Sequence, residues 1–213
     1  MRIIIAGGHG QIALRLEERL GSGAVGLVRN PAHVADVEAT GAEAVVCDLE
    51  RASVAEVAEL LRGADAVVFA AGAGPGSGAA RKDTVDRGAS VLLAEAAERA
   101  GVRRFVQISS MGVGKPPRPG GDDVWAAYMK AKTEAEDDLR ARDLDWTVLR
   151  PGHLTDEPGT GLVRLAPEVA PGSVPRDDVA AVIVALLANP GTVGQTLELV
   201  SGDTPIAALA ATE

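Results

Sequence analysis

Short runs of consecutive apolar residues, rich in Ile, Val and Ala, alternate along the chain with longer stretches whose apolar positions recur every three or four residues. A brief apolar run bounded by glycine or polar residues predicts a strand covered on both faces, and the wider spacing predicts an amphipathic helix. On this basis residues 2–6 form a first strand and 11–20 a first helix, with Ile12, Leu16 and Leu20 on one face. Further strands are predicted at 24–28, 44–47, 66–71, 104–109, 146–149 and 196–200. Helices fall between them. One begins at Pro31 and stops at Gly41, one spans 54–61 behind the cap Ser53, and a long one spans 83–100 and closes at Gly101. The longest helical pattern covers 122–142, and another covers 177–187. Residues 72–78 and 112–121 read as Gly/Pro loops. Residues 151–172 are loop-like around one further strand at 162–165, and a short Ala-rich helix covers 206–211.

Repeated strand–helix–strand units with continuously apolar strands imply an α/β fold, a three-layer doubly wound parallel sheet with helices on both faces. The expected organisation is a single domain over 1–213, in which 151–178 and 191–213 form a small substrate-side lobe. At 213 residues the chain is long enough to bury a core without disulfides or metals. Only two Phe, two Trp and one Tyr are present, so that core is aliphatic and each aromatic becomes a candidate for a specific role. Thirty acids against 21 bases give a net charge of −9, which disfavours nucleic acid and anionic membrane surfaces as partners. The lone cysteine, Cys47, forbids an internal disulfide and fits a reducing compartment. The longest apolar run, 179–188, is about half of the ~20 residues a membrane span needs, and no export signal is read at the N-terminus. The expectation is a cytoplasmic protein acting on a small molecule, as a monomer or a homodimer.

The first strand runs into Gly7-Gly8-His9-Gly10-Gln11-Ile12-Ala13, at the opening of a helix. In that context Gly7 permits a tight turn, Gly10 lets the backbone approach a pyrophosphate, and Ala13 keeps the helix close to the strand. The helix N-terminus then offers free N–H groups and a positive dipole end to the phosphates. The second strand ends in Val28-Arg29-Asn30-Pro31, with no acid between Ala24 and Ala35. An acid there would select NAD through the ribose hydroxyls, whereas the guanidinium of Arg29 suits a 2′-phosphate, so NADP(H) is favoured over NAD(H). Asp48 and Leu49 would flank the adenine, and Ala70-Ala71-Gly72 would pass beneath the nicotinamide half.

Ser109-Ser110 end the fifth strand, and Tyr128 and Lys132 lie four apart on the helix that follows the next loop. That offset places both side chains on one helix face. A reductase needs a proton donor for an oxygen that turns negative as hydride arrives. Tyrosine, with a reference pKa of ~10, becomes useful when an ammonium favours its phenolate. Either serine hydroxyl can bind the same oxygen. Other residues are read more plainly. His9, His33 and His153 show no metal-ligand spacing, His33 reads as a helix-surface residue, Cys47 as a small core residue, and Glu134, Glu136, Asp137 and Asp138 as a solvated helix face.

The stretches IIIAGGHGQIA, VRNP, CDL, VDRGA, RFVQISSMG, YMKAK, WTVLRPGHLTDEPGTG and PRDDVA together resemble the atypical, NAD(P)H-binding branch of the short-chain dehydrogenase/reductase family, which includes NmrA-like proteins and biliverdin-IX-beta reductase-like enzymes. The resemblance implies a Rossmann domain with Tyr128 and Lys132 in the Tyr-x-x-x-Lys positions and with Pro151 and Gly152 beside the nicotinamide. His153 stands where a small residue is usual in the family. The tail is short for the sugar-nucleotide lobe of the extended branch. Two functions follow as expectations. One is an NADP(H)-dependent oxidoreductase acting on a small carbonyl, quinone or flavin-like acceptor. The other is a non-catalytic NADP(H) sensor of the NmrA-like type.

Overall fold

Strand β1 (Ile3–Ala6) is four consecutive apolar residues, all of them buried. Its side chains alternate between two clusters, with Ile3 and Ile5 on one face of the sheet and Ile4 and Ala6 on the other. Two-sided burial of this kind explains why the strands carry no polar alternation. The computed structural model describes residues 1–74, 76–115 and 123–210.

Helix α1 (Gln11–Leu20) follows β1, and β2 (Ala24–Val28) returns beside it in parallel. The segment opened by Pro31 is a 3₁₀ turn (Pro31–His33) running into the short helix α2 (Val34–Glu38), then β3 (Glu43–Val46). Helix α3 (Val54–Leu61) begins at a capping box, in which Ser53 Oγ accepts from Glu56 N while the Glu56 carboxylate accepts from Ser53 N. Strand β4 (Ala66–Phe69) leads through the glycine-rich turn to α4 (Ala79–Arg81), a π-helical stretch (Lys82–Ala89) and α5 (Ser90–Ala100), which follow one another without a break. The sequence predicts one uniform helix here, and the wider π turn is a finding of the structure. Gly101 ends it in the left-handed conformation, at φ +74°.

Strand β5 (Arg104–Ile108), helix α6 (Asp123–Arg140) and strand β6 (Asp145–Pro151) complete the second parallel unit. Residue 122, where the sequence predicts the start of this helix, residues 116–121 of the preceding loop, Pro75 and residues 211–213 lie outside the described residues. The stretch that reads mostly as loop holds β7 (His153–Thr155), β8 (Leu162–Ala166) and β9 (Ser173–Pro175). Helix α7 (Arg176–Ala188), β10 (Gln195–Ser201), β11 (Thr204–Pro205) and a 3₁₀ turn (Ile206–Leu209) follow.

The main sheet runs β11-β8-β10-β6-β5-β4-β1-β2-β3. From β3 to β10 every pairing is parallel, while β8 and β11 extend the far edge in the antiparallel sense. Among the described residues of 151–178 and 191–213, β8 and β11 form this edge, β10 joins the parallel sheet beside β6, and β7 and β9 form a separate two-stranded sheet. Helices α1, α2 and α7 cover one face, and α3, α5 and α6 cover the other. The strand order reverses between β1 and β4, where a crevice opens at the carboxyl ends of the strands.

Candidate functional site

At the end of β1 the chain must turn sharply under a neighbouring strand. Gly7 does so at φ +82°, and a Cβ there would lie 2.6 Å from Ala71 Cα. A Cβ on Gly10 would meet the Gly7 carbonyl at 3.1 Å. Gly10 is also the N-cap of α1, and among the described residues no side chain caps that helix. Its first N–H groups are therefore left for a ligand that brings oxygen acceptors, and the glycine cradle above them has the form a pyrophosphate requires.

Gly7, His9, Gly10, Arg29, Asn30, Asp48, Leu49, Ala70, Ala71 and Gly72 line one continuous cleft at the carboxyl ends of β1 to β4. Gly8, Gln11 and Ile12 do not line it. Gly8 faces inward, where its Cβ would lie 2.8 Å from Glu17 Oε1, and Ile12 packs against the core. Arg29 pairs with Glu50 at 3.0 Å, Asn30 accepts from Ala32 N to cap the turn, and Asp48 accepts from Glu50 N. His33, expected on a helix surface, instead lines the cleft with its ring stacked on His9 at 3.6 Å, and His9 Nε2 meets Asp36 at 2.8 Å. The half-buried Cys47 also lines the cleft. Burial, then the neighbouring Asp48 and Glu56, push its thiol above the usual range.

The Ser, Tyr and Lys set gathers beside β4 and β5. Lys132 is buried on α6, with Nζ donating to the Ile108 carbonyl at 3.2 Å and lying 3.3 Å from Asp86 Oδ1. Its ammonium sits 5.6 Å from the centroid of the Phe69 ring at the end of β4. Two ammoniums lie near the Tyr128 ring, with Lys82 Nζ 5.2 Å and Lys132 Nζ 5.8 Å from its centroid, and Trp125 packs against it at 5.3 Å. The two serines part company. Ser109 is buried and donates to Glu136 Oε1 at 2.5 Å, whereas Ser110 makes, among the described residues, a long contact to the Met111 carbonyl. Met111 N donates to the Pro151 carbonyl and Gly152 N to Leu199 O, so the Ser110 loop sits against the end of β6. His153 is exposed on β7.

Three acids in this region contradict or escape the sequence reading. Glu136, expected on a solvated face, is fully buried and accepts from Ser109, Arg140 and Arg150. Asp86 is buried beneath the site, accepting from Ala73 N at 3.2 Å while facing Lys132. Glu17 is buried on α1 with neither oxygen hydrogen-bonded among the described residues, and that burial pushes its carboxyl up to about 8. Among the described residues no cluster of three or more His, Cys, Asp or Glu could hold a metal, and no helix is long and apolar enough to cross a membrane.

Comparison with known proteins agrees with this geometry. Residues 7–190 match the NAD(P)H-binding family. The chain is 36% identical over 211 residues to a Bacillus subtilis protein named as the uncharacterized sugar epimerase YhfK, covering 97% of both. A solved structure from Bacillus halodurans, provisionally described as an NAD-dependent epimerase/dehydratase, matches at TM-score 0.89 and 36% identity over 98% of each chain. The oxidoreductase ylbE of Lactococcus lactis matches at TM-score 0.85 and 29% identity, covering 98% of this chain and 94% of its own. With its glycine cradle, its parallel sheet and these relatives, the chain belongs to the NAD(P)H-binding family.

Proposed function

We propose that the chain is an NADP(H)-dependent oxidoreductase that reduces a small carbonyl, quinone or flavin-like acceptor. The observation that carries this reading is the approach of two ammoniums to the Tyr128 ring, one of them fixed by Asp86 and the Ile108 carbonyl. When bound, the dinucleotide supplies hydride to the acceptor. The glycine cradle of Gly7 and Gly10 and the N-terminus of α1 bind its pyrophosphate, and Arg29 supports a choice of the 2′-phosphate form. Tyr128 gives its phenolic proton to the acceptor oxygen. Ser110, whose hydroxyl makes no short hydrogen bond among the described residues as that of Ser109 does, donates to the same oxygen. Lys132 also holds the nicotinamide ribose, with Pro151 and Gly152 beside the ring. Strands β7 and β9 form the substrate side.

The test is oxidation of NADPH and NADH against a panel of quinones, flavins, aldehydes and ketones. NADPH should be preferred, and Tyr128→Phe should lower kcat by about a hundredfold or more while cofactor affinity holds. Unchanged turnover in the variant would refute the proton-donor role. No turnover of any acceptor, with NADPH still bound tightly, would favour a cofactor sensor instead.

A further inference from the structure

Glu50 lies in the loop after β3, and three donors from two other segments converge on it. Arg29 Nη1 donates to Oε2 at 3.0 Å, Arg81 Nη2 to the same oxygen at 2.8 Å, and Thr84 Oγ1 to Oε1 at 2.7 Å. The Thr84 hydroxyl and the two guanidiniums hold the carboxyl below the usual carboxylate range. Arg29 follows β2, whereas Arg81 and Thr84 open the helical segment after β4. Arg29, Glu50 and Arg81 all line the cleft, beside Asn30 and Asp48. Two guanidiniums and a hydroxyl around one oxyanion are the contact set of a phosphate monoester, and a carboxylate is the closest mimic a protein carries. The charges leave room for such a ligand, since two cations face one anion and the nearby Asp48 is engaged by Arg51 at 3.7 Å. Arg81 also retains an unused donor, because its Nε is buried and bonds no described group.

We propose that Arg81 and Arg29 together form a two-arginine clamp for the 2′-phosphate of the adenosine ribose, and that Glu50 is the internal anion this phosphate displaces. The clamp rests on the NADP(H) reading above and extends it. Arg29 alone would make the specificity a property of the β2 loop. With Arg81 the choice of cofactor is shared with the segment after β4. Glu50 tempers the preference, since the 2′-phosphate must compete for guanidiniums that already have a partner. NADH has no group to make that exchange and leaves the triad as it is.

The experiment is calorimetric titration of the full chain with NADPH and with NADH, in wild type, R29A, R81A and E50Q, with a thermal melt of each variant to establish that it is folded. R81A should weaken NADPH by about tenfold to a hundredfold and change NADH by less than about threefold. E50Q should tighten NADPH several-fold and leave NADH unchanged. Loss of both cofactors alike in R81A, or weaker NADPH binding in E50Q, overturns the clamp. A wild-type preference for NADPH that falls in R29A but survives R81A overturns the clamp and leaves Arg29 as the selector. Wild-type affinities equal within about threefold overturn the NADP(H) reading, and the clamp with it.

Discussion

Replacing Glu17 by methionine substitutes an apolar side chain of similar length for a carboxyl that is sealed beneath the glycine loop with no hydrogen-bond partner among the described residues. In the folded protein this carboxyl titrates near 8, against 4.5 for an unhindered glutamate. The folded value lies above the unfolded one, so the native state holds the proton more tightly. Its contribution to stability is complete below about pH 4.5 and drains away as pH rises toward 8. Integrated over that window, the loss is about 1 kcal/mol at pH 5 and about 3 kcal/mol at pH 7, approaching 5 kcal/mol above pH 8. Against the ~5–15 kcal/mol that separates a folded domain from its unfolded chain, this is a large share. Glu17→Met should therefore exceed wild type in stability by a margin that grows by about 2 kcal/mol between pH 5 and pH 7. A pH-independent gain from removing an unsatisfied buried carboxyl adds to it. Urea denaturation followed by far-ultraviolet circular dichroism at pH 5, 6, 7 and 8 reads the margin directly. All other titrating groups are common to both proteins and cancel in the difference. A margin that stays constant across the four pH values would refute the reasoning, because it would mean that Glu17 ionises in the folded state as readily as in the unfolded one.

Three further outcomes follow from the site. Ser109→Ala should cost about 1–2 kcal/mol of stability by withdrawing a donor from Glu136, while Ser110→Ala should lower turnover with little change in stability; the two serines behaving alike in melts and rates would contradict the division between them. Asp86→Asn should destabilise the protein by about 3 kcal/mol, because it leaves the Lys132 ammonium buried without a carboxylate, and adding Lys132→Met should recover most of the loss; additive losses in urea titrations of the single and double variants would exclude the pairing. Glu136→Gln should cost about 2–4 kcal/mol, since Arg140 and Arg150 would face a neutral group, and a change below about 1 kcal/mol in denaturant titrations would show that the cluster is not structural.

Much of this fold is legible in the sequence because its strands are buried on both faces. Runs such as Ile3–Ala6 and Ala66–Phe69 have no reading other than an interior strand once glycine bounds them. The doubly wound arrangement of the parallel strands follows from crossover handedness, whereas the antiparallel sense of β8 does not, since composition does not encode strand direction. Strands β7 and β9, at three residues each, are too short to leave a pattern. The glycine cradle and the Tyr128–Lys132 offset are legible because each is local. The partners of Lys132 and Arg29 are not, because Asp86 and Glu50 reach them across separate elements. Glu17 and Asp86 do leave a trace. Glu17 falls in the apolar series Ala13, Leu16, Leu20, and Asp86 stands at helical spacing from Ala89 and Leu93, so each acid occupies a core position. Glu136 lacks such a cue, lying among Glu134, Asp137 and Asp138 in an acidic run.

The π-helical stretch Lys82–Ala89 has a bearing on how this chain tolerates change in length. A π turn spans more residues than an α turn, so this segment carries chain that a regular helix of the same rise would not. Each residue of an α-helix rotates the next by about 100°. Deleting one residue between Asp86 and Leu93 would let the segment relax to α geometry while swinging Asp86 away from Lys132 and leaving the core contacts of α5 in register. Such a deletion would read as conservative by every measure of composition. It would uncouple the Asp86–Lys132 contact from the packing of the helix that carries it, so the spacing of residues here matters as much as their identity.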